Sequence, residues 1–147
     1  IDANMKELVA TGFMSNRGRQ NVASYLVREL DADWRWGAAF FEQHLVDYDV
    51  ASNWGNWASV AGVGPFQSRD RGFNILLQAT RYDKAGHFVR HWLPDLKRVS
   101  AQDVHWPWVD SSHGWKRPLV SSPHWQKIID GHRKNTRQGT LPLIMTS

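Results

Sequence analysis

A chain of 147 residues is long enough for one domain with a modest core, and its lack of cysteine excludes disulfides and thiolate metal sites. The 18 Lys and Arg against 14 Asp and Glu give a net charge of +4, a surplus that permits contact with phosphates or anionic lipid without requiring either. No apolar run approaches the roughly 20 residues of a membrane span, and no targeting peptide is visible. Because the sequence begins at Ile1, we expect a processed, cleaved or partial chain.

The first two-thirds of the sequence predicts helices joined by short connections. A first predicted helix follows Ser15, with apolar residues at helical spacing: Val22, Ala23, Leu26, Val27 and Leu30. Residues 31–33 interrupt it and supply a cap for a second helix that includes Ala38 to Val46. Two further helices are expected, one from near Phe73 to just before Tyr82 and one from Gly86 to Pro94.

Between these helices, residues 47–49 lead into a segment, 52–57, that predicts the start of a helix with one distinctive face. Asn53, Trp57, Ala61 and Gly64 would share one face, with a ring and an amide at one end and small residues at the other. A flat ligand could lie against such a face. Residues 62–72 are predicted to form a loop.

Composition changes near residue 100, so we divide the chain into residues 1–99 and a basic extension, 100–147. Proline and glycine interrupt the extension, apart from a short amphipathic helix predicted from Ser122 or Pro123 to about His132. Such tails are typical of extended or partner-wrapping segments. The Trp106–Trp108 cluster is interpreted as an aromatic clasp for this tail.

His87 and His91 are four residues apart, a spacing that can bind a metal ion, but no third ligand is evident. A solvated helix face is therefore the favoured interpretation of this pair.

Several motifs in order resemble the photolyase/cryptochrome superfamily in its DASH form. They are residues 14–24 (MSNRGRQNVAS), 33–38 (DWRWGA), 47–57 (DYDVASNWGNW), 61–64 (AGVG), 73–74 (FN) and 89–94 (VRHWLP). The resemblance covers roughly residues 2–97. It implies an all-α fold, namely part of the helical domain that holds FAD in a U shape, followed by an irregular C-terminal tail.

The resemblance also implies roles for single residues. Asn16, Arg19 and Asp49 would lie beside FAD, with Arg19 paired to Asp47. Asn53 would face flavin N5, and Trp57 and Trp34 would be the proximal and middle members of an electron relay. Gln20 would lie at the mouth of the pocket for a flipped-out pyrimidine dimer.

These residue types suit the chemistry independently of the resemblance. An Arg beside an Asp compensates the charge of a reduced flavin, and an amide at N5 can donate or accept a hydrogen bond. Considered singly, each residue also has a structural interpretation: an ion pair joining helices, two core aromatics, and an asparagine that caps or turns the chain.

The sequence also departs from the family pattern. A loop that is usually polar contains Pro65 and Phe66, and Ser59 stands where an aromatic residue is usual. The α/β domain and part of the FAD site are not in these residues, so the chain alone is not expected to repair DNA.

Two functions remain open. One is the FAD region of a blue-light photolyase or cryptochrome acting on dimers in single-stranded DNA. The other is a non-catalytic subunit of a chloroplast or mitochondrial complex, photosynthetic complexes included. Partners would be the rest of the same protein or other subunits.

Overall fold

The computed structural model describes residues 1–63, 73–120 and 122–138, and within these ranges the chain forms helices and turns without a strand. The predicted all-α class is confirmed. The α-helices are α1 (Asp2–Thr11), α2 (Asn16–Ser24), α3 (Trp34–His44), α4 (Val50–Val60), α5 (Ile75–Tyr82), α6 (His87–Trp92) and α7 (Pro123–Gln138). A π-helical turn, Tyr25–Glu29, continues α2, and 3₁₀ turns occur at Pro94–Leu96, Pro107–Val109 and Ser111–His113.

Polar side chains set most of the helix starts. The Ser15 hydroxyl accepts a hydrogen bond from the Gly18 amide at 3.1 Å, and Asp33 accepts one from the Arg35 amide at 3.0 Å. Asn74 accepts from two amides of α5, each at 3.1 Å. These contacts satisfy amides that have no partner within the helix, which is why the helices begin where capping residues occur.

The helices in this part of the chain differ from the predicted ones in two places. α1 precedes the first helix that the spacing predicted. The second predicted helix ends at His44, two residues early, because the Val46 amide bonds the Gly12 carbonyl at 2.9 Å instead. Gly12 has φ 72°, a left-handed conformation that ends α1 and that glycine adopts without strain.

Three apolar clusters hold the helices together. The first joins the four helices α1, α2, α3 and α4, and it contains Leu8, Met14, Val22, Ala23, Ala38, Phe41, Leu45 and Trp57. The second joins α1 and α6 to residues 96–104. The third contains Leu76, Trp106, Trp125 and Ile129, so it joins α5 to the extension.

The extension is more ordered than its composition predicts. α7 runs to Gln138, past the predicted end near His132, and it buries Trp125 and Ile129. The predicted clasp is confirmed, since the Trp106 ring lies 5.1 Å from His132 and the Trp108 ring lies 6.5 Å from Trp125. Outside the 3₁₀ turns, residues 101–105 form turns and residues 114–120 have no helix or strand.

The expectations for Gly64, Pro65, Phe66 and the end of the tail fall outside the described residues. No helix in the described part of the chain is long and apolar enough to cross a membrane.

Candidate functional site

Arg19 is held by three hydrogen bonds at the junction of α2 with the α3–α4 connection. Its Nε donates to the Met14 carbonyl at 2.8 Å, and its Nη2 donates to both carboxylate oxygens of Asp47, each at 2.8 Å. The Arg19 side chain is 28% exposed and that of Asp47 is 52% exposed. The guanidinium is therefore fixed in orientation but remains open on one side.

Asn53 is buried on α4 with its amide oriented by α3. Its Nδ2 donates to the Ala38 carbonyl at 2.9 Å. Because a carbonyl can only accept, this bond assigns the amide nitrogen to that side and directs the Asn53 oxygen away from α3.

Trp57 lies one turn beyond Asn53 and is 2% exposed. Its ring packs edge-on against Phe41, with centroids 5.1 Å apart. It also lies directly over Gly37, where a β-carbon would come within 2.2 Å of the ring. The glycine in α3 therefore creates the space that the Trp57 indole occupies.

The other predicted FAD residues, Asp49 and Asn16, and the predicted substrate residue, Gln20, lie at the surface. Asp49 caps α4 by accepting from the Ser52 amide at 2.7 Å, and this hydrogen bond holds the pKa of Asp49 below its usual value. Asn16 and Gln20 are exposed on α2. Asn16 shares a face of α2 with Arg19 and with Gln20, because it is three residues from the first and four from the second.

Trp34 is half-buried and packs against the same cluster as Trp57, but its ring contact is with Trp54. The Trp34 and Trp54 centroids are 5.8 Å apart at an interplanar angle of 78°. The Trp54 Nε1 in turn donates to Glu42 at 3.0 Å and to the Tyr48 hydroxyl at 3.2 Å. The sequence motifs predicted no role for Trp54, Tyr48 or Glu42, although Tyr48 and Trp54 both stand within the motif of residues 47–57.

A cavity of about 1060 Å³ lies elsewhere, between α1, α2, α5 and the extension. Arg17, Gly18 and Asn21 line it from α2, and Trp108 and Trp125 line it from the extension. Arg17 and Asn21 each stand two residues from Arg19 and therefore lie on nearly the opposite side of α2. The residues predicted to bind FAD, namely Asn16, Arg19, Asp47, Asp49 and Asn53, are not among those that line this cavity.

Comparison with known proteins gives the same class as the fold. The family described as the FAD binding domain of DNA photolyase matches residues 1–140. The fold matches the solved structure of a Synechocystis cryptochrome with a TM-score of 0.76 and 47% identity, over 90% of this chain and 29% of that one. It matches an archaeal photolyase from Sulfolobus tokodaii, solved with two FAD molecules, with a TM-score of 0.76 and 34% identity, over 90% of this chain and 31% of that one.

The curated relatives identify the branch of the photolyase/cryptochrome family to which the chain is similar. Cryptochrome DASH of Synechocystis is 56% identical over 152 residues, which cover 96% of this chain and 30% of the relative. That of Xenopus laevis is 44% identical, over 97% of this chain and 30% of the relative. The chloroplastic/mitochondrial protein of Arabidopsis thaliana is 56% identical, over 73% of this chain and 19% of the relative. The chain belongs to the cryptochrome DASH/photolyase family, and FAD is the cofactor for which this domain family is named. It spans about 30% of the length of the first two relatives.

Proposed function

We propose that this chain is the flavin-facing region of a blue-light protein of the cryptochrome DASH type. The full protein would pass an electron from light-excited reduced FAD to a cyclobutane pyrimidine dimer in single-stranded or looped-out DNA. These residues alone are not expected to reverse dimers. Two observations together carry the proposal: the fixed Arg19–Asp47 pair, and the buried amide of Asn53, whose orientation is set by the Ala38 carbonyl.

The residues present fit FAD in their chemistry. A guanidinium neutralised on one side by a carboxylate compensates a negative charge on the other side without a large net field. The oriented oxygen of Asn53 would accept from a protonated flavin N5. Asn16 and Asp49 would hold polar parts of the cofactor, and Gln20 would meet the flipped-out base. Bound flavin would supply the light absorption and the one-electron chemistry, and Trp57 and Trp34 would carry an electron toward it.

The test is the FAD content per chain of the native-source protein and of two matched variants. Arg19→Gln removes the charge that would lie beside the flavin. Arg35→Gln is the control, because it removes the same group from the exposed Arg35–Asp33 ion pair, which contains no predicted flavin residue. We expect near-stoichiometric FAD in the wild type and in Arg35→Gln. In Arg19→Gln we expect FAD affinity to fall about tenfold or more, the typical cost of losing one charge-assisted contact. Equal retention of FAD by both variants would contradict the assigned role of Arg19.

A second candidate function is a structural subunit of an organellar complex, and the exposed apolar side chains favour it. Trp36 is 75% exposed and Val46 is 78% exposed, so both apolar side chains are available to a partner protein. The names of the plant relatives make chloroplasts or mitochondria the natural location for this candidate. Intact native material without flavin, purified together with other proteins, would favour this function over the first.

A further inference from the structure

Four side chains form a continuous contact path from the core to solvent. Trp34 packs against the cluster that contains Trp57, and its ring meets that of Trp54 at 5.8 Å. Trp54 is half-buried and extends from α4 toward the end of α3, where its indole N–H is shared between the exposed Glu42 carboxylate and the Tyr48 hydroxyl. The path thus ends on two oxidisable side chains that contact one carboxylate.

The carboxylate distinguishes this arrangement from ordinary aromatic packing. An oxidised indole or phenol becomes strongly acidic, so losing an electron is favoured where a base can take the proton at once. Glu42 lies 3.0 Å from the Trp54 nitrogen and is also hydrogen-bonded to Tyr48. Partial burial, and then the hydrogen bond and charge of Glu42, raise the pKa of Tyr48 above its usual value, while the contact with Trp54 acts in the opposite direction. Tyr48 therefore holds its proton until it is oxidised.

We propose that Trp54, Tyr48 and Glu42 form a redox exit through which an electron hole on Trp34 leaves the core as a tyrosyl radical. This inference rests on the proposed electron relay through Trp57 and Trp34. It adds a branch to that relay, which ends at a solvent-exposed carboxylate.

The transfer balances with a photoexcited oxidised flavin as the electron acceptor. One electron leaves Tyr48, passes through Trp54 and fills the hole on Trp34, so that both indoles end unchanged. The phenolic proton of Tyr48 is transferred in net terms to Glu42. The products are a neutral phenoxyl radical on Tyr48 and a neutral carboxylic acid on Glu42, with one electron gained by the acceptor.

The test oxidises the protein in two ways and follows indole and phenoxyl radicals by transient absorption. Blue flashes are applied to the flavin-loaded protein, and azide radicals generated by pulse radiolysis oxidise tryptophan without any use of flavin. The variants are Tyr48→Phe and Glu42→Gln. Tyr82→Phe is the matched control, since the contacts of the Tyr82 ring are with Arg17 and Arg81.

We expect Tyr48→Phe to lose most of the phenoxyl signal that grows as the indole signal decays, and Tyr82→Phe to retain it. Glu42→Gln should slow this conversion about tenfold or more, because the proton acceptor is lost. If Glu42 had only a structural role, the conversion rate would not change in Glu42→Gln. The unfolding midpoint and the FAD content of this variant are measured as controls, because they show whether its fold and its flavin are retained.

The azide experiment separates the two proposals. If the native protein holds no flavin, the proposed function fails, yet azide oxidation still tests the cluster. Equal phenoxyl yields in the wild type and Tyr48→Phe after azide oxidation would overturn the redox exit. So would a conversion rate in Glu42→Gln equal to that of the wild type.

Discussion

At the scale of single residues, Gly37 determines where the Trp57 ring lies. A methyl group at Gly37 would come within 2.2 Å of Cη2 and 2.4 Å of Cζ3 of the indole, while Phe41 holds the same ring edge-on. Because protein cores are closely packed, the Trp57 ring has little room to move away from such a methyl group. The position of the proposed flavin-proximal tryptophan therefore depends on a residue without a side chain.

We expect Gly37→Ala to destabilise the protein by about 1–3 kcal/mol, the usual cost of overpacking, despite the better helix propensity of alanine. Gly55→Ala is the matched control, because Gly55 lies in α4 and a β-carbon there meets nothing within 4 Å. It should stabilise the protein by about 0.5–1 kcal/mol. Denaturant unfolding measures both values, and similar shifts in the two variants would show that Trp57 does not occupy the described position.

At the scale of secondary-structure elements, α3 begins at an ion pair that is also a cap. Asp33 accepts hydrogen bonds from the Arg35 amide and from the Arg35 Nε and Nη2. The side-chain hydrogen bond with Arg35, and then that with its amide, lower the pKa of Asp33. These bonds favour the ionised carboxylate, and the start of α3 is therefore sensitive to pH.

We expect stability to decline more steeply in acid for the wild type than for Asp33→Asn. The folded-state pKa of Asp33 lies below its unfolded value, so its contribution is complete above about pH 4 and is lost as the pH falls through the lowered folded pKa. Asparagine caps a helix about as well but does not titrate in this range. The free energy of unfolding is measured from pH 6 to pH 2 for both proteins, and parallel profiles would refute the prediction.

At the scale of the whole molecule, the extension is part of the core. Trp125 and Ile129 of α7 pack with Leu76 of α5 and with Trp106, which is fully buried. His105 strengthens this joint by donating from Nε2 to the Asp83 carbonyl at 2.7 Å. The boundary proposed at residue 99 therefore divides sequence compositions, while the third apolar cluster crosses it.

We expect Ile129→Ala to destabilise the protein by about 2–4 kcal/mol through lost burial and a residual cavity. Ile128→Ala is its neighbour control, since Ile128 is only half-buried, and should cost clearly less. Thermal or denaturant unfolding monitored by tryptophan fluorescence tests the pair. If both variants match the wild type, α7 contributes little to the stability of the core.

Sequence by itself determined the helical class, the capped starts of α2 and α3, and the approximate extent of α4 to α6. Local signals suffice there, because capping residues and apolar spacing act within a few residues of chain. The motif order also indicated the family. The length of α7 was underestimated, because its buried face is narrow and its remaining residues are polar. The early end of α3 depends on a bond from Val46 to Gly12, which no local pattern encodes.

Only the tertiary structure decided which side chains meet. The contact of Arg19 with Asp47 could be inferred by resemblance, but its bond to the Met14 carbonyl and the orientation of Asn53 by Ala38 could not. The same holds for the path from Trp34 through Trp54 to Tyr48 and Glu42. Such contacts join residues 5 to 28 positions apart, and they depend on how α2, α3 and α4 cross. Crossing geometry follows from the packing of whole helix faces, Gly37 against Trp57 above all, and is therefore a property of the fold rather than of any segment.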